Sequence, residues 1–305
     1  MAQIVLAGGN GFLGKALAAH FAAKGYEPVI LTRKPEAGNI FKQIVWDGAT
    51  VGPWAKALEG AFSVINLAGA SVSKRHTRAY RQQILSSRLL PTQAIGKAVA
   101  QCDHPPRWWL NASGINIYPC AAGRMYDEAA PLDGTDFLAD VCRQWEEAAG
   151  AFTLQHTRRV LLRTALVLGR SNQSVLQPLA QLARLGLGGP AGDGLQLMSW
   201  IHVMDYVHAV DFIMHDTDWQ GPVNVASPQT VTNGQFMRAI RQAVGCRFGL
   251  PAPAWGIRLG SLLMNREASL LLHSACAYPR RLVEAGFAFR FPKLEPAVAD
   301  LLSRD

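Results

Sequence analysis

Apolar positions near the amino terminus come in short unbroken runs rather than in a helical rhythm. Residues 3–7, Gln3-Ile4-Val5-Leu6-Ala7, read as a buried strand, and a helical pattern takes over from residue 12 to about residue 24. Further strand-like runs lie at 28–32, 43–46, 63–67, 108–112 and 160–163, with helical patterns between them. Runs such as Val64-Ile65-Asn66-Leu67-Ala68 are what a strand shows when both sheet faces are covered. This alternation predicts an α/β fold, a Rossmann-type doubly wound parallel sheet with helices on both faces and right-handed crossovers. The texture changes after Gly169, where residues 185–194 are rich in glycine, and Pro251-Ala252-Pro253 marks a second boundary. The expected division is a nucleotide-binding domain over 1–169, with strands from 198–226 returning to its sheet. Residues 170–197 and 227–305 then form a smaller, mainly helical substrate region, with a distinct unit from about 250.

The turn between the first strand and the first helix carries the chemistry. It reads Ala7-Gly8-Gly9-Asn10-Gly11-Phe12-Leu13-Gly14. Gly9, Gly11 and Gly14 fit G-x-G-x-x-G, and Gly8, Gly11 and Gly14 fit the wider G-x-x-G-x-x-G spacing. One glycine permits the tight turn, one admits the pyrophosphate of a dinucleotide, one lets helix and strand approach, and the free N–H groups at the helix start attract the anion.

The second strand ends in Thr32-Arg33-Lys34, where an NAD site usually has an acid for the ribose hydroxyls. Without that carboxylate a 2′-phosphate is not repelled, and a guanidinium beside an ammonium supplies charge-assisted hydrogen bonds to it. NADP(H) is the expected cofactor. Trp46-Asp47 closes the third strand, and Asp47 either reaches an adenine amino group or simply forms a turn. Leu67-Ala68-Gly69-Ala70 follows the fourth strand with side chains small enough for backbone to lie against the nicotinamide ribose.

Composition narrows the class. The 305 residues are 49% hydrophobic, with a mean hydropathy of +0.07, as in a globular protein. No run approaches the roughly 18 apolar residues of a membrane span, and Met1-Ala2-Gln3 lacks a basic segment ahead of the apolar stretch. Cys102, Cys120, Cys142, Cys246 and Cys276 are scattered without C-x-x-C pairing, against a disulfide framework or structural zinc, so a reducing cytoplasm is the expected compartment. The net charge of +8 comes from single or paired cations with no long basic stripe, which favours a phosphorylated small ligand over nucleic acid.

The chain resembles the extended short-chain dehydrogenase/reductase superfamily, in its atypical epimerase-like branch with an added carboxyl-terminal domain. Beyond the glycine motif the likeness rests on residues 64–70, Ser86-Ser87-Arg88 with Thr92, Phe137-Leu138-Ala139 with Trp145-Glu146, and Leu162-Arg163-Thr164. It continues through Ser199-Trp200-Ile201-His202, Val231-Thr232-Asn233 and Gly286-Phe287-Ala288-Phe289. It implies an NADP-binding Rossmann fold; members are mostly described as sugar-nucleotide epimerases, often without a known substrate.

Standard members use Ser or Thr with Y-x-x-x-K, the lysine lowering the tyrosine's pKa so that it can move a proton. None of the six tyrosines here has a lysine four residues on, and no lysine occurs between Lys97 and Lys293. Matching Glu146 to the family's trailing acid puts Leu138 at the tyrosine position and Cys142 at the lysine position. Cys142 then belongs to an apolar helix face over 137 to about 149, as a small core residue or part of the substrate pocket. Ser113, ending the fifth strand, matches the family serine that bonds a substrate oxygen, or else caps the strand. Tyr118 supplies a phenol from a loop over the nicotinamide position or lines the pocket.

Glu128 binds a substrate hydroxyl or is solvated. Arg88 resembles the family arginine after the fourth strand, and either reaches a phosphate or carboxylate of the ligands or forms a surface ion pair. Trp200 and His202, in the S-W-I-H-x-x-D pattern with Asp205, are pocket candidates beside the structural role most histidines have. No residue cluster has metal-ligand spacing. Two functions compete: an NADP(H)-dependent oxidoreductase or epimerase of a small polar, sugar-like molecule, and a non-catalytic NADP(H)-binding sensor or regulator.

Overall fold

The computed structural model of the protein describes residues 1–120, 124–215, 219–263, 265 and 267–303. Strand β1 (Gln3–Ala7) feeds helix α1 (Phe12–Ala23), followed by β2 (Glu27–Thr32), β3 (Lys42–Val45), β4 (Ser63–Asn66), α2 (Arg78–Ala100), β5 (Trp108–Gly114), α3 (Phe137–Gly150) and β6 (Arg158–Thr164). The chain continues through β7 (Leu166–Leu168), α4 (Leu176–Arg184), β8 (Leu197–His202), α5 (Val203–His215), β9 (Gly221–Val225) and β10 (Thr230–Thr232). It ends in helices α6 (Asn233–Ala243), α7 (Ala254–Leu263), α8 (Ser269–Leu272), α9 (Arg280–Glu284) and α10 (Leu294–Leu302).

Seven strands form a parallel sheet in the order β3-β2-β1-β4-β5-β6-β9. The expected α/β doubly wound sheet is therefore present. Successive tryptophans show how both faces are filled: side chains alternate across a strand, so Trp108 joins the core with Leu17, Phe21 and Tyr206 on the α1/α5 face. Trp109 joins Ile95, Val99 and Ala149 on the α2/α3 face.

One expectation for 198–226 is corrected. Of that stretch only β9 returns to the large sheet; β8 sits in a separate three-stranded sheet between β7 and β10. The cause lies at Ala165, where the chain leaves the large sheet after Thr164 and starts β7 at once, and β8 pairs with it. This small sheet and helices α4, α6 and α10 share a second core around Trp200, Phe236, Ile240, Leu294 and Val298. Asp205, fully buried, ties the two parts together by accepting from the backbone N–H of Arg290 and of Phe291, both at 2.8 Å.

The cysteines are a second correction. Cys120, just beyond β5, is disulfide-bonded to Cys276 ahead of α9, a pairing across 156 residues that spacing along the chain does not reveal. Among the described residues no helix is long and apolar enough to cross a membrane.

Candidate dinucleotide-binding cleft

The strand order reverses between β1 and β4, and α/β sheets bind ligands outside the carboxyl ends of the strands at such a point. A cleft of about 610 Å³ opens there. It is lined from the first turn by Gly8, Asn10 and Gly11, from the end of β2 by Thr32, Arg33 and Lys34, after β3 by Trp46 and Asp47, and after β4 by Leu67, Ala68, Gly69 and Ala70. Residues far apart in sequence are thus brought together at one site.

Gly8 also shapes the turn, and the loop residues Gly9, Phe12, Leu13 and Gly14 support the cleft without lining it. Gly8 adopts φ +78°, and a Cβ there would stand 3.0 Å from the Ala68 nitrogen, a conformation and an approach open only to glycine. A Cβ on Gly14 would lie 2.4 Å from the Cα of Gly9, so α1 packs directly on the turn. Phe12 presses its ring on Gly169, and Leu13 packs against the core. The start of α1 has neither a side-chain cap nor an acid in its first turn. The Phe12 N–H donates to the Gln173 side chain (3.0 Å), while those of Leu13 and Gly14 meet no acceptor among the described residues. A helix end of this kind accepts an anion.

At the end of β2 the Thr32 hydroxyl accepts from the Lys34 N–H (3.2 Å) and donates to the Lys34 carbonyl (2.9 Å), and the Asn10 amide donates to the same hydroxyl (3.1 Å). This turn holds Arg33 and Lys34 out over the cleft, both exposed and with no carboxylate partner among the described residues. Their neighbour Glu36 is engaged by Lys15 at 2.8 Å. Of the two readings of Asp47 the structure realises the turn: its carboxylate accepts the Thr50 hydroxyl and the N–H groups of Thr50 and Ala49, which hold its pKa down at about 2. Trp46 is fixed edge-on against Trp54, 5.1 Å between ring centres. Gln83, Ser86 and Ser87 of α2 also line the cleft, and Ser87 accepts from the Ala70 N–H at 2.8 Å. Ser86 and Ser87 stood in the sequence only as a family-like string, because a polar helix face gives no sign of what it faces.

Beyond β5 lies a buried polar chain. The Ser113 hydroxyl donates to Glu146 (2.7 Å), and Arg163 grips the same carboxylate through Nε (2.9 Å) and Nη2 (2.8 Å). Burial works against the Arg163 charge, but the hydrogen bonds and charge of Glu146 prevail and push its pKa up. Arg163 also donates to the Tyr118 phenol (2.8 Å), which donates to Asn224 (2.8 Å). Tyr118 is 4% exposed and its pKa is raised by burial. The expectation of a phenol offered to a ligand is therefore corrected: a short 3-10 turn after β5 folds this side chain inward, where its bonds are already made.

Four pocket candidates are corrected in the same way. Cys142 packs with Ile115 and Tyr118, its thiol pushed up to about 12 by burial. Glu128 accepts the N–H groups of Asn224 (3.0 Å) and Arg281 (3.4 Å), an internal strut whose pKa burial raises. Trp200 is wholly buried in the second core. His202 accepts the Met204 N–H at 3.1 Å, stacks on Phe291 with 4.0 Å between ring centres, and lies 3.3 Å from Asp300, off-line for a hydrogen bond. Arg88 lies behind Gly69 rather than in the cleft lining. Leu138 instead borders a second cavity, of about 200 Å³, together with Asn116, Asp136, His76, Arg81 and the 267–275 segment.

The His202 site has a measurable consequence. Burial lowers its pKa from the ordinary 6.5, more than the Asp300 and Asp205 charges raise it. A folded pKa below the unfolded one means the unfolded chain takes up the proton first, so stability is present above about pH 6.5 and declines as the pH falls below it. Melting temperatures followed from pH 7.5 to 5 are expected to drop, with a shallower slope in His202→Gln. Parallel slopes for the two proteins would refute this assignment.

Residues 4–226 match the NAD dependent epimerase/dehydratase family, and residues 252–301 match a domain of unknown function, DUF1731. The chain is 32% identical over 305 residues to the epimerase family protein SDR39U1 of Bos taurus, covering 99% of this chain and 100% of that protein. It is 30% identical over 302 residues to the epimerase family protein SH2119 of Staphylococcus haemolyticus, covering 99% of both. The crystal structure of human epimerase family protein SDR39U1 (isoform 2) with NADPH superposes with a TM-score of 0.87 at 30% identity, over 98% of this chain and 99% of that one.

Proposed function

Since the chain belongs to the NAD dependent epimerase/dehydratase family, we propose that it binds NADP(H) in the β1–β4 cleft and acts on a small polar, sugar-like molecule. The observation that carries this reading is the pair of exposed cations Arg33 and Lys34 at the end of β2, without a carboxylate partner among the described residues, where a 2′-phosphate would sit. The bare start of α1 fits the pyrophosphate, and Gly8 lets the turn close against the Ala68 backbone at the cleft floor. The human relative crystallised with NADPH supports the same assignment. When bound, such a cofactor supplies hydride transfer.

On the protein side, the cavity beyond β5 offers a substrate the Asn116 amide, the Ser269 and Ser274 hydroxyls and the Arg81 guanidinium. Ser113 is the hydroxyl nearest the strand end. Its hydroxyl donates to Glu146 and is 6% exposed, behind the lining of that cavity, so a substrate oxygen would reach its lone pairs only by entering past that lining. A second reading, a ligand-binding sensor without turnover, is favoured by Leu138 and Cys142 at the tyrosine and lysine positions and by the internal bonding of Tyr118.

Fluorescence titration with NADPH and NADH, followed by NADPH consumption against a panel of aldehydes, ketones and sugar nucleotides, tests both. Tighter binding of NADPH with turnover of one panel member is the expected result. Binding without turnover assigns the sensor, and absence of NADPH binding removes both readings.

A further inference from the structure

We propose that the molecule acted on is an acid, and that Arg78 and Arg81 hold its carboxylate or phosphate in a pocket next to the cavity beyond β5. The proposal rests on the reading above, which places a sugar-like molecule in that cavity, and adds its charge. The pocket, of about 340 Å³, is lined by His76, Arg78, Arg81, Gln82, Leu85 and Phe137. Three of these, His76, Arg81 and Phe137, also border the cavity of about 200 Å³ that Leu138 lines. The two spaces therefore share one wall, and Arg81 stands in it.

Both guanidiniums are left open. Arg78 and Arg81 are exposed, and neither side chain meets a carboxylate or other hydrogen-bond acceptor among the described residues. Arg143, Arg163 and Arg280, by contrast, are paired with Asp140, Glu146 and Asp127. The Arg81 fork is held over the Phe137 ring, 4.9 Å from Cζ to the ring centre, and Phe137 packs edge-on against His76 with 5.3 Å between ring centres. His76 is fixed in turn, its Nε2 donating to the Val72 carbonyl (2.9 Å) and its backbone N–H to Glu267 (2.9 Å). The pocket wall contains no acid. Two acids border the smaller cavity, and both are engaged: Asp136 accepts the Ala139 N–H at the start of α3 (2.7 Å), and Glu267 accepts the His76 N–H and the Ser269 hydroxyl (2.8 Å).

The two arginines are badly placed for the helix by itself. They are the first and fourth residues of α2, whose first turn has no acid, and cations at a helix start oppose its dipole. Three positions apart, they share one helix face and repel each other. A bound anion reverses both effects, and a guanidinium matches the adjacent oxygens of a carboxylate or phosphate. Arg81 and Leu138, at the position of the missing tyrosine, border the same small cavity. The acid group is therefore carried by the reacting sugar-like unit itself rather than by a distant part of the molecule.

The test uses the NADPH-loaded protein, so that the Arg33-Lys34 end of the cofactor cleft is filled, and titrates glucose 6-phosphate, gluconate and glucose by calorimetry and thermal shift. At least one of the two acids is expected to bind and raise the melting temperature, and glucose to do neither; which acid binds identifies the group as phosphate or carboxylate. In Arg81→Gln its dissociation constant is expected to rise by about tenfold or more, the scale of one lost charge-assisted contact. Arg81→Lys keeps the charge without the fork and is expected to fall between; it also serves if the glutamine variant does not fold. Arg75→Gln removes a cation of the same stretch from outside the pocket lining and is expected to leave the constant within about twofold. Equal losses in Arg75→Gln and Arg81→Gln overturn the subsite, because they show diffuse attraction to a basic surface. Binding of neither acid, or of glucose as tightly as the acids, overturns it while leaving the cofactor reading intact. Absence of NADPH binding ends the cofactor reading, and the same titrations on the protein alone then decide the subsite.

Discussion

Arg33→Asp is expected to weaken NADPH binding by about a hundredfold and to change NADH binding by less than about threefold. One hydrogen bond to a charged group contributes about 1.5–3 kcal/mol, a factor of ten being about 1.4 kcal/mol, and the substitution also places a carboxylate where the 2′-phosphate would lie. Two features make the size credible. Among the described residues Arg33 has no acid to release, so none of them offsets the loss, and Lys34 remains beside it in the cleft lining. The turn itself should survive, because its bonds run through Thr32, Asn10 and the Lys34 backbone rather than through the Arg33 side chain. Equal losses for both dinucleotides in a fluorescence titration would show that Arg33 does not read the phosphate.

Arg163→Met is expected to be the most damaging single change to stability, lowering the melting temperature by about 10 °C. The Arg163 and Glu146 side chains are 3% and 10% exposed. Removing one partner of a buried pair leaves the other charge desolvated at a cost of about 3–5 kcal/mol, and each kcal/mol moves a chain of this size by about 2–4 °C. The same change takes one donor from the Tyr118 phenol. Adding Glu146→Gln should restore roughly half of the loss, since the amide carries no charge yet still accepts the Ser113 proton. Thermal or urea denaturation measures both, and a shift under about 2 °C for the single variant would mean that water reaches the pair.

The parts of this molecule legible in its sequence are those whose signal is local. Buried parallel strands announce themselves as apolar runs, and the start of α1 shows in the glycines that its turn needs, so the sheet and the cleft floor could be located in advance. Arg33 and Lys34 could be assigned because strand ends in this fold fall at fixed places. The carboxyl-terminal side was opaque for the opposite reason. Tyr118, Glu128, Trp200 and His202 look like site residues in one dimension, but their partners, Asn224, Arg281, the second core and Phe291, come from elsewhere in the chain. The Ser113–Glu146–Arg163 chain spans three elements, and although all three residues stood in the sequence, nothing in their spacing joined them. The Cys120–Cys276 bond was hidden by the same distance. Position along a chain shows which groups are present; only packing shows which of them are already taken.

The hydrogen bond from the Phe12 N–H to Gln173 makes the first donor of the anion site conditional. Gln173 belongs to the segment between β7 and α4, at the entrance to the carboxyl-terminal region, and is exposed. An anion that takes up this N–H must displace the amide, so its affinity is reduced by whatever that internal bond contributes. Linkage runs equally in both directions: any ligand or contact that draws the 169–175 segment off the helix start strengthens anion binding by the same factor by which the anion favours the displaced segment. The glutamine thus stands as a tethered competitor for the helix start, so that anion binding there and the position of the 169–175 segment share one equilibrium.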